Sequence, residues 1–391
     1  MDDPSTMDAF PLLCSVIETP LPALVSPLLA LRSTPTAGRS LFALAPIAPS
    51  TLIHTSAVPF ARTVLESFKR EVCWTCFSVV EGRQARWKVR ELLDANGAAA
   101  GEAVRWFCAD ACWDTWKVLV GDVGRAAVRA GEDTLSRAAK VGRRDVERGT
   151  EQKEDDVAAS TNEEIEEAWA KGFLAGQETV RRRTTPRRAG EGAWRQRPQD
   201  ALLSSDDPDV FRLLISGITE RFHASTNPLP STWTSLTSLV PSLATNARAL
   251  ESNIRMYNSL IAILPLALLP YTTPLTILAL LSRDNGNSFG IWSATHDDGS
   301  GERGELLAYG IYPSSSYFNH SCRPNLVKSR NGAAFEFRSG AEGVAQGDEV
   351  CISYLGGGEV GDREERRNRL MIGWGFWCEC VRCREEEGGS E

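Results

Sequence analysis

Three things are missing from this sequence, and each excludes a class of protein. There is no excess of positive charge: 43 Lys and Arg stand against 51 Asp and Glu, a net charge of −8 over 391 residues. Gripping nucleic acid through its phosphates needs a basic face, so direct nucleic-acid binding is disfavoured, while a basic partner such as a lysine-rich tail suits the balance. There is no basic residue ahead of an apolar run at the start, because Met1 to Asp8 carries acids only, so no secretory leader is expected. Finally, there is no unbroken apolar run of membrane-spanning length. The nearest, LIAILPLALLPYTTPLTILALL at 260–281, is divided by Pro265, Pro270 and Pro274 into pieces shorter than the roughly 20 residues a span requires. Short buried helices are expected there instead.

What is present is a chain with 42% hydrophobic residues, enough for one large core or two smaller ones, and ten cysteines. Without a leader the compartment is expected to be reducing, where clustered cysteines point to zinc rather than disulfides. Cys73 and Cys76 form C-x-x-C, and Cys108 and Cys112 form C-x-x-x-C. Two close pairs of this kind can supply a complete tetrahedral thiolate site. Cys378, Cys380 and Cys383 form C-x-C-x-x-C, one ligand short of a second site. Cys14, Cys322 and Cys351 compete for that place. Cys351 lies in DEVCISYL, where a cysteine can serve as a small buried hydrophobe. Cys322 lies in a turn context between Ser321 and Pro324, which suits a ligand.

Strand-like and helix-like segments alternate in blocks. Residues 36–60 read as short strands punctuated by Pro46 and Pro49, and RWKVRELL with VRWFC read as a hairpin between the two cysteine pairs. Between about 125 and 205 the chain is charged and poor in large apolar residues, as a solvated insertion would be. Within it NEEIEEAWAKGFLAGQETVRRR reads as a helix, with Asn162 as the N-cap and arginines in its last turn. The arginines at 181–183, 187 and 188 read as part of a solvated linker in preference to a nucleic-acid patch. Residues 209–282 read as helical, and strands return from 286 onward. One β-core interrupted by insertions accounts for this order better than a string of domains.

GRSLFA at 38–43, NSFGI at 287–291, YFNHSCRPN at 317–325, GDEVCISY at 347–354 and GFWCECVRC at 375–383 occur in that order. Together they resemble the SET-domain protein lysine methyltransferases. The cysteine-rich insertion is similar to the SMYD (SET and MYND) branch, reduced to one set of four zinc ligands. The resemblance implies an α+β, β-rich fold: short strands with a knot-like crossing, interrupted by a zinc-binding insertion and a helical insertion, and closed by a post-SET zinc segment. The implied boundaries are an N-terminal SET part at 36–70, a MYND-like zinc insertion at 71–124 and a charged, partly helical or disordered linker at 125–208. A helical insertion at 209–282, a C-terminal SET part at 283–355 and a post-SET segment at 356–385 complete the chain.

The resemblance also implies roles. Asn319 and His320 would line an S-adenosylmethionine pocket, with Arg39 and Ser40 near the methionine end of the cofactor. Asn287 would contact the cofactor, Ser316, Tyr317 and Phe318 would offer main-chain groups, and Phe376 would stack on adenine. Tyr354 would be the catalytic tyrosine, and Tyr354 and Trp374 would wall the lysine channel. Trp374 stands where the family often has a second tyrosine. Cys322 would join Cys378, Cys380 and Cys383 on one structural zinc, beside a second zinc on Cys73, Cys76, Cys108 and Cys112. The implied activity is methylation of a lysine in a histone or another protein, by a monomeric chain in the nucleus or cytoplasm with no membrane partner. The alternative is a SET/zinc scaffold without turnover that mediates protein–protein interactions in gene regulation.

Overall fold

A computed structural model describes residues 26–34, 38–79, 87–89, 105–147, 161–185, 208–226, 247–293, 304–356 and 361–388; Cys14, Arg187 and Arg188 lie outside them. The described chain begins with a strand pair, β1 (Leu29–Thr34) and β2 (Gly38–Ala43), antiparallel with Leu29 opposite Ala43 and Thr34 opposite Gly38. The strands β3 (Leu52–Ser56) and β4 (Ala61–Val64) follow. The hairpin read from the sequence is β5 (Trp87–Val89) paired antiparallel with β6 (Arg105–Phe107).

Seven helices occupy more of the described chain than the strands do. The architecture is therefore mixed α+β, and the expectation of a β-rich chain is corrected. The first cause is α1 (Asp110–Glu147), which crosses the expected boundary at 125. Beyond residue 125 few large side chains mark it, because its buried face there is small: Ala127 and Ala138 are enclosed. A Cβ added at Gly131 would meet Ile215 at 2.4 Å, so the facing helix lies very close. α1 bends at Gly121, whose backbone (φ 62°, ψ 179°) belongs to a region only glycine occupies readily.

α2 (Asn162–Thr184) starts with a capping box in which Glu164 N–H donates to Thr161 Oγ1 at 3.2 Å and Thr161 N–H donates to the Glu164 carboxylate at 2.7 Å. Thr161, one residue before the expected Asn162, is thus the cap. α3 (Pro208–Thr226) and α4 (Ala247–Ile263) follow. The proline-broken apolar stretch resolves as the end of α4, a short 3-10 turn over Leu266–Tyr271, and α5 (Pro274–Asn287) capped by Thr273. Among the described residues no helix is long and apolar enough to cross a membrane. Arg183, in the arginine run, donates to the carbonyls of Ile261 and Leu264 at the end of α4. It closes a helix C-terminus instead of sitting in solvent.

The remaining strands are β7 (Ser288–Trp292), β8 (Leu306–Ile311), β9 (Asn319–His320), β10 (Leu326–Asn331), β11 (Ala334–Ser339) and β12 (Cys351–Ile352). They complete sheets begun by the first strands: β10-β11-β3 and β4-β8-β7. In β11 alternate residues Phe335, Phe337 and Ser339 face inward, the period of two expected of a half-buried strand. Phe337 stacks on Phe318 at 4.6 Å, and Phe289, Tyr312 and Phe335 pack edge to face beside them. A second core, built on Trp169, Phe211, Leu214, Leu260 and Leu280, lies among the helices. The chain ends in α6 (Arg363–Trp374) and α7 (Val381–Gly388), with Gly375 (φ 74°) as the left-handed cap of α6.

Candidate active site and thiol clusters

The parallel pair β9–β12 sets Asn319 beside Cys351 and His320 beside Ile352. The Asn325 side chain holds the two segments together, donating to the Glu349 carbonyl at 2.8 Å and accepting from Cys351 N–H at 2.9 Å. β2 closes on the same place, because Val350 N–H donates to the Leu41 carbonyl at 2.8 Å. At this junction the Asn319 amide donates to the Arg39 carbonyl (3.0 Å), Ser40 Oγ (2.8 Å) and the Glu349 carboxylate (3.2 Å). The Arg39 guanidinium lies 5.3 Å from the centre of the Tyr317 ring.

Asn287, the last residue of α5, is buried and turns its amide to the Arg283 carbonyl at 2.8 Å. Its own carbonyl accepts from Ser316 Oγ at 3.2 Å, which links it to the junction through the backbone. The structure thus brings Arg39, Ser40, Tyr317 and Asn319 together directly, and Asn287 and Ser316 alongside.

Next to the junction, four rings gather. Tyr354 stands 5.4 Å from His320, 5.4 Å from Trp374 and 6.3 Å from Phe376 between ring centres. Its hydroxyl donates to the Phe318 carbonyl at 2.9 Å, and burial raises its pKa, so the proton stays on oxygen. His320 is held down to about 4, first by burial and then by Arg366, so the imidazole is neutral at physiological pH. Its Nδ1 accepts Tyr354 N–H at 3.0 Å, which puts the ring proton on Nε2, 3.3 Å from Cys322 Sγ. His320 therefore links the aromatic group to the C-terminal cysteines.

The eight cysteines expected as ligands fall into two sets of four: Cys73, Cys76, Cys108 and Cys112, and Cys322, Cys378, Cys380 and Cys383, each with its sulfurs within 4.8 Å of one another. Zinc–sulfur bonds of about 2.3 Å give a tetrahedron with edges of about 3.8 Å. Measured separations fit: 3.5 Å for Cys76–Cys108, 3.4 Å for Cys108–Cys112, 3.9 Å for Cys322–Cys378 and 3.6 Å for Cys322–Cys383. Cys351 is buried in β12 and belongs to neither set. In the first set a tight turn presents Cys73 and Cys76, closed by Phe77 N–H on the Cys73 carbonyl at 2.9 Å. The start of α1 presents Cys112, whose carbonyl accepts from Thr75 Oγ1 at 2.7 Å.

No protein-family profile matches the chain. Individual proteins do. The chain is 36% identical over 107 residues to the potential protein lysine methyltransferase SET6 of Saccharomyces cerevisiae, covering 27% of each chain. It is 35% identical over 134 residues to the histone-lysine N-methyltransferase ASHR2 of Arabidopsis thaliana, covering 33% of this chain and 32% of that one. A SET and MYND domain-containing protein of Dictyostelium discoideum is 37% identical over 111 residues, 28% of this chain and 24% of its own. The chain is a SET/SMYD-like protein. The matched stretch spans about a quarter to a third of the length of these relatives.

In this SET/SMYD-like protein two charged residues at the site went unread in the sequence. Glu349 lies inside GDEVCISY and accepts from Asn319, but an acid beside Asp348 in a turn has the signature of solvent exposure. Arg366 sits in the charged run REERRNR, yet it is 2% exposed. Its guanidinium donates to the Gly361 carbonyl at 2.9 Å, pairs with Glu386 and lies within electrostatic reach of the Cys322 sulfur. A cation beside such a cluster offsets part of the negative charge of its thiolates.

Proposed function

We propose that the protein is an S-adenosylmethionine-dependent lysine N-methyltransferase acting on a histone or another protein, with two structural zinc ions. The observation that carries this reading is the Tyr354 hydroxyl donating to the Phe318 carbonyl inside a half-buried ring of His320, Trp374 and Phe376, directly beside the Asn319 junction. Relatives named as lysine methyltransferases support it. The hydrogen-bonding groups around Asn319, amide and hydroxyl with main-chain carbonyls as acceptors, suit an amino-acid-like group, and the Phe376 face suits a purine.

The cofactor would supply a methyl group on a sulfonium. Everything else is asked of the chain. An amine attacks only when neutral, and a narrow aromatic channel disfavours the ammonium by removing its water. Tyr354 and Trp374 would form that channel. The Phe318 carbonyl and Tyr354 oxygen would align the amine with the methyl group, and alignment supplies most of the rate in a direct displacement. No general base is required of His320, whose two ring nitrogens are engaged with Tyr354 N–H and Cys322. The Cys322 cluster would hold Trp374 and Phe376 against Tyr354, and the crossing of 317–325 by 347–354 would form the family's knot. The protein would act as a monomer in the nucleus or cytoplasm.

Calorimetric titration of the zinc-loaded protein with S-adenosylmethionine tests the reading. Binding in the wild type and its loss in Asn319→Ala are expected, together with methyl transfer to a lysine-bearing protein that Tyr354→Phe reduces at least tenfold. A folded wild type that does not bind the cofactor overturns the proposal and leaves the scaffold reading.

A further inference from the structure

The densest group of charge outside the aromatic site lies where the zinc hairpin meets the helices. Arg105 of β6 is 5% exposed, and its Nη2 pairs with Glu132 of α1 at 3.0 Å. Its guanidinium lies over the Trp74 ring, 3.2 Å from the centroid. Its Nε and Nη1 are shut off from solvent and have no hydrogen-bond partner among the described residues, and Nη1 of Arg62 in β4 is in the same condition. Native interiors rarely leave such donors unmet; where they do, an ion or water is the usual explanation.

Both side chains line one cavity of about 50 Å³, which Arg212, Ser216, Thr219 and Glu220 of α3 also border. A single water needs roughly 10–15 Å³ of such space, so the cavity holds a few waters or one small oxyanion. Three guanidinium groups face it against one carboxyl. The acids bonded to Arg212 are Glu66, Glu132 and Asp209, which occupy that guanidinium and leave the unmet donors of Arg62 and Arg105 to the cavity. Burial pulls Arg105 down to about 9 despite Glu132, the condition of a cation short of counter-charge. Burial also raises the pKa of Glu220, weakening the one opposing charge.

We infer that this cavity is an anion site, taking a small oxyanion of phosphate or carboxylate chemistry on Arg62 and Arg105. Such an ion bridges β4, the zinc hairpin and α3, and so couples the zinc module to the rest of the protein. The site is independent of the aromatic centre and of any methyl transfer.

The test is thermal unfolding of the zinc-loaded full chain titrated with sodium phosphate or sodium acetate against sodium chloride at matched ionic strength. A saturating rise in Tm with phosphate or acetate, beyond that with chloride, is expected; the stronger of the two names the source. Arg62→Gln removes a donor whose Nη1 bonds nothing else among the described residues and should weaken the response about tenfold, the typical worth of one charged hydrogen bond. Glu220→Gln removes the opposing carboxyl and should tighten binding. A wild-type response no greater than with chloride overturns the inference in favour of water, and an unchanged response in Arg62→Gln overturns it in favour of an adventitious ion elsewhere. Should Arg62→Gln fail to fold, a Glu220→Gln protein with no tighter response overturns it as well.

Discussion

Replacing Glu132 with glutamine should destabilise the protein by about 3 kcal/mol at pH 7. The carboxylate is 7% exposed, and it receives Arg212 Nε at 2.8 Å, Arg212 Nη2 at 3.0 Å and Arg105 Nη2 at 3.0 Å. Burial alone would raise its pKa, but Arg105 and then Arg212 outweigh that and bring it to about 2 from 4.5. A difference of this size corresponds to about 3 kcal/mol at about 1.36 kcal/mol per unit. That agrees with the roughly 3–5 kcal/mol lost when one partner is deleted from a buried ion pair and the other is stranded. The sign follows from linkage: a depressed carboxylate contributes fully above its unfolded value of about 4.5 and loses that contribution as pH falls toward 2. Urea unfolding of zinc-loaded wild type and Glu132→Gln, followed by tryptophan fluorescence, should therefore give the same gap at pH 7 and at pH 5. A gap below 1 kcal/mol, or one that shrinks between those two pH values, refutes the reasoning.

Asp284 should show the opposite sign. Burial raises it to about 6, so its ionisation opposes folding increasingly as pH rises from 3.8 to 6; Asp284→Asn should stabilise the protein by roughly 3 kcal/mol at pH 7.5 and about half that at pH 5, read from denaturant midpoints. Cys380→Ser should lower bound zinc from two ions per chain to one by atomic emission, and with it S-adenosylmethionine affinity, because the C-terminal segment carries Trp374 and Phe376. Gly121→Ala should cost about 1–3 kcal/mol in thermal unfolding: its positive φ is strained for any side chain and a Cβ there would meet the His223 ring at 2.9 Å.

Local features explain what the sequence revealed. Zinc ligands come in close pairs from tight turns, so Cys73 with Cys76 and Cys378 with Cys380 and Cys383 announced themselves by spacing. Asn319 and His320 share one short motif whose backbone presents both to the junction. The fourth ligand of the C-terminal set was open on spacing alone; the turn context and the resemblance pointed to Cys322, and the fold places it with the trio while β12 buries Cys351 elsewhere. Charge misled most. Arg366, Arg183 and Arg105 sit in polar or alternating stretches, and each is turned inward by a partner beyond its own segment, Glu386, the Leu264 carbonyl and Glu132 respectively, that no local pattern encodes. α1 was underread for a different reason: a helix that buries alanine and glycine against a neighbour carries little hydrophobic signal.

The pairing of β4 with β8 and of β3 with β11, together with the bond from Asn319 to the Arg39 carbonyl 280 residues away, has an evolutionary consequence. Chain closure costs grow only with the logarithm of length, so doubling the segment between the two halves of the sheet would cost about 0.6 kcal/mol. Thermodynamically the paired frame is almost indifferent to how much protein is threaded between its halves, and inserted modules can be gained, trimmed or exchanged without redesigning it. The toll falls on folding speed, because strands so distant in sequence pair slowly and wait unpaired until the helices between them have drawn their ends together.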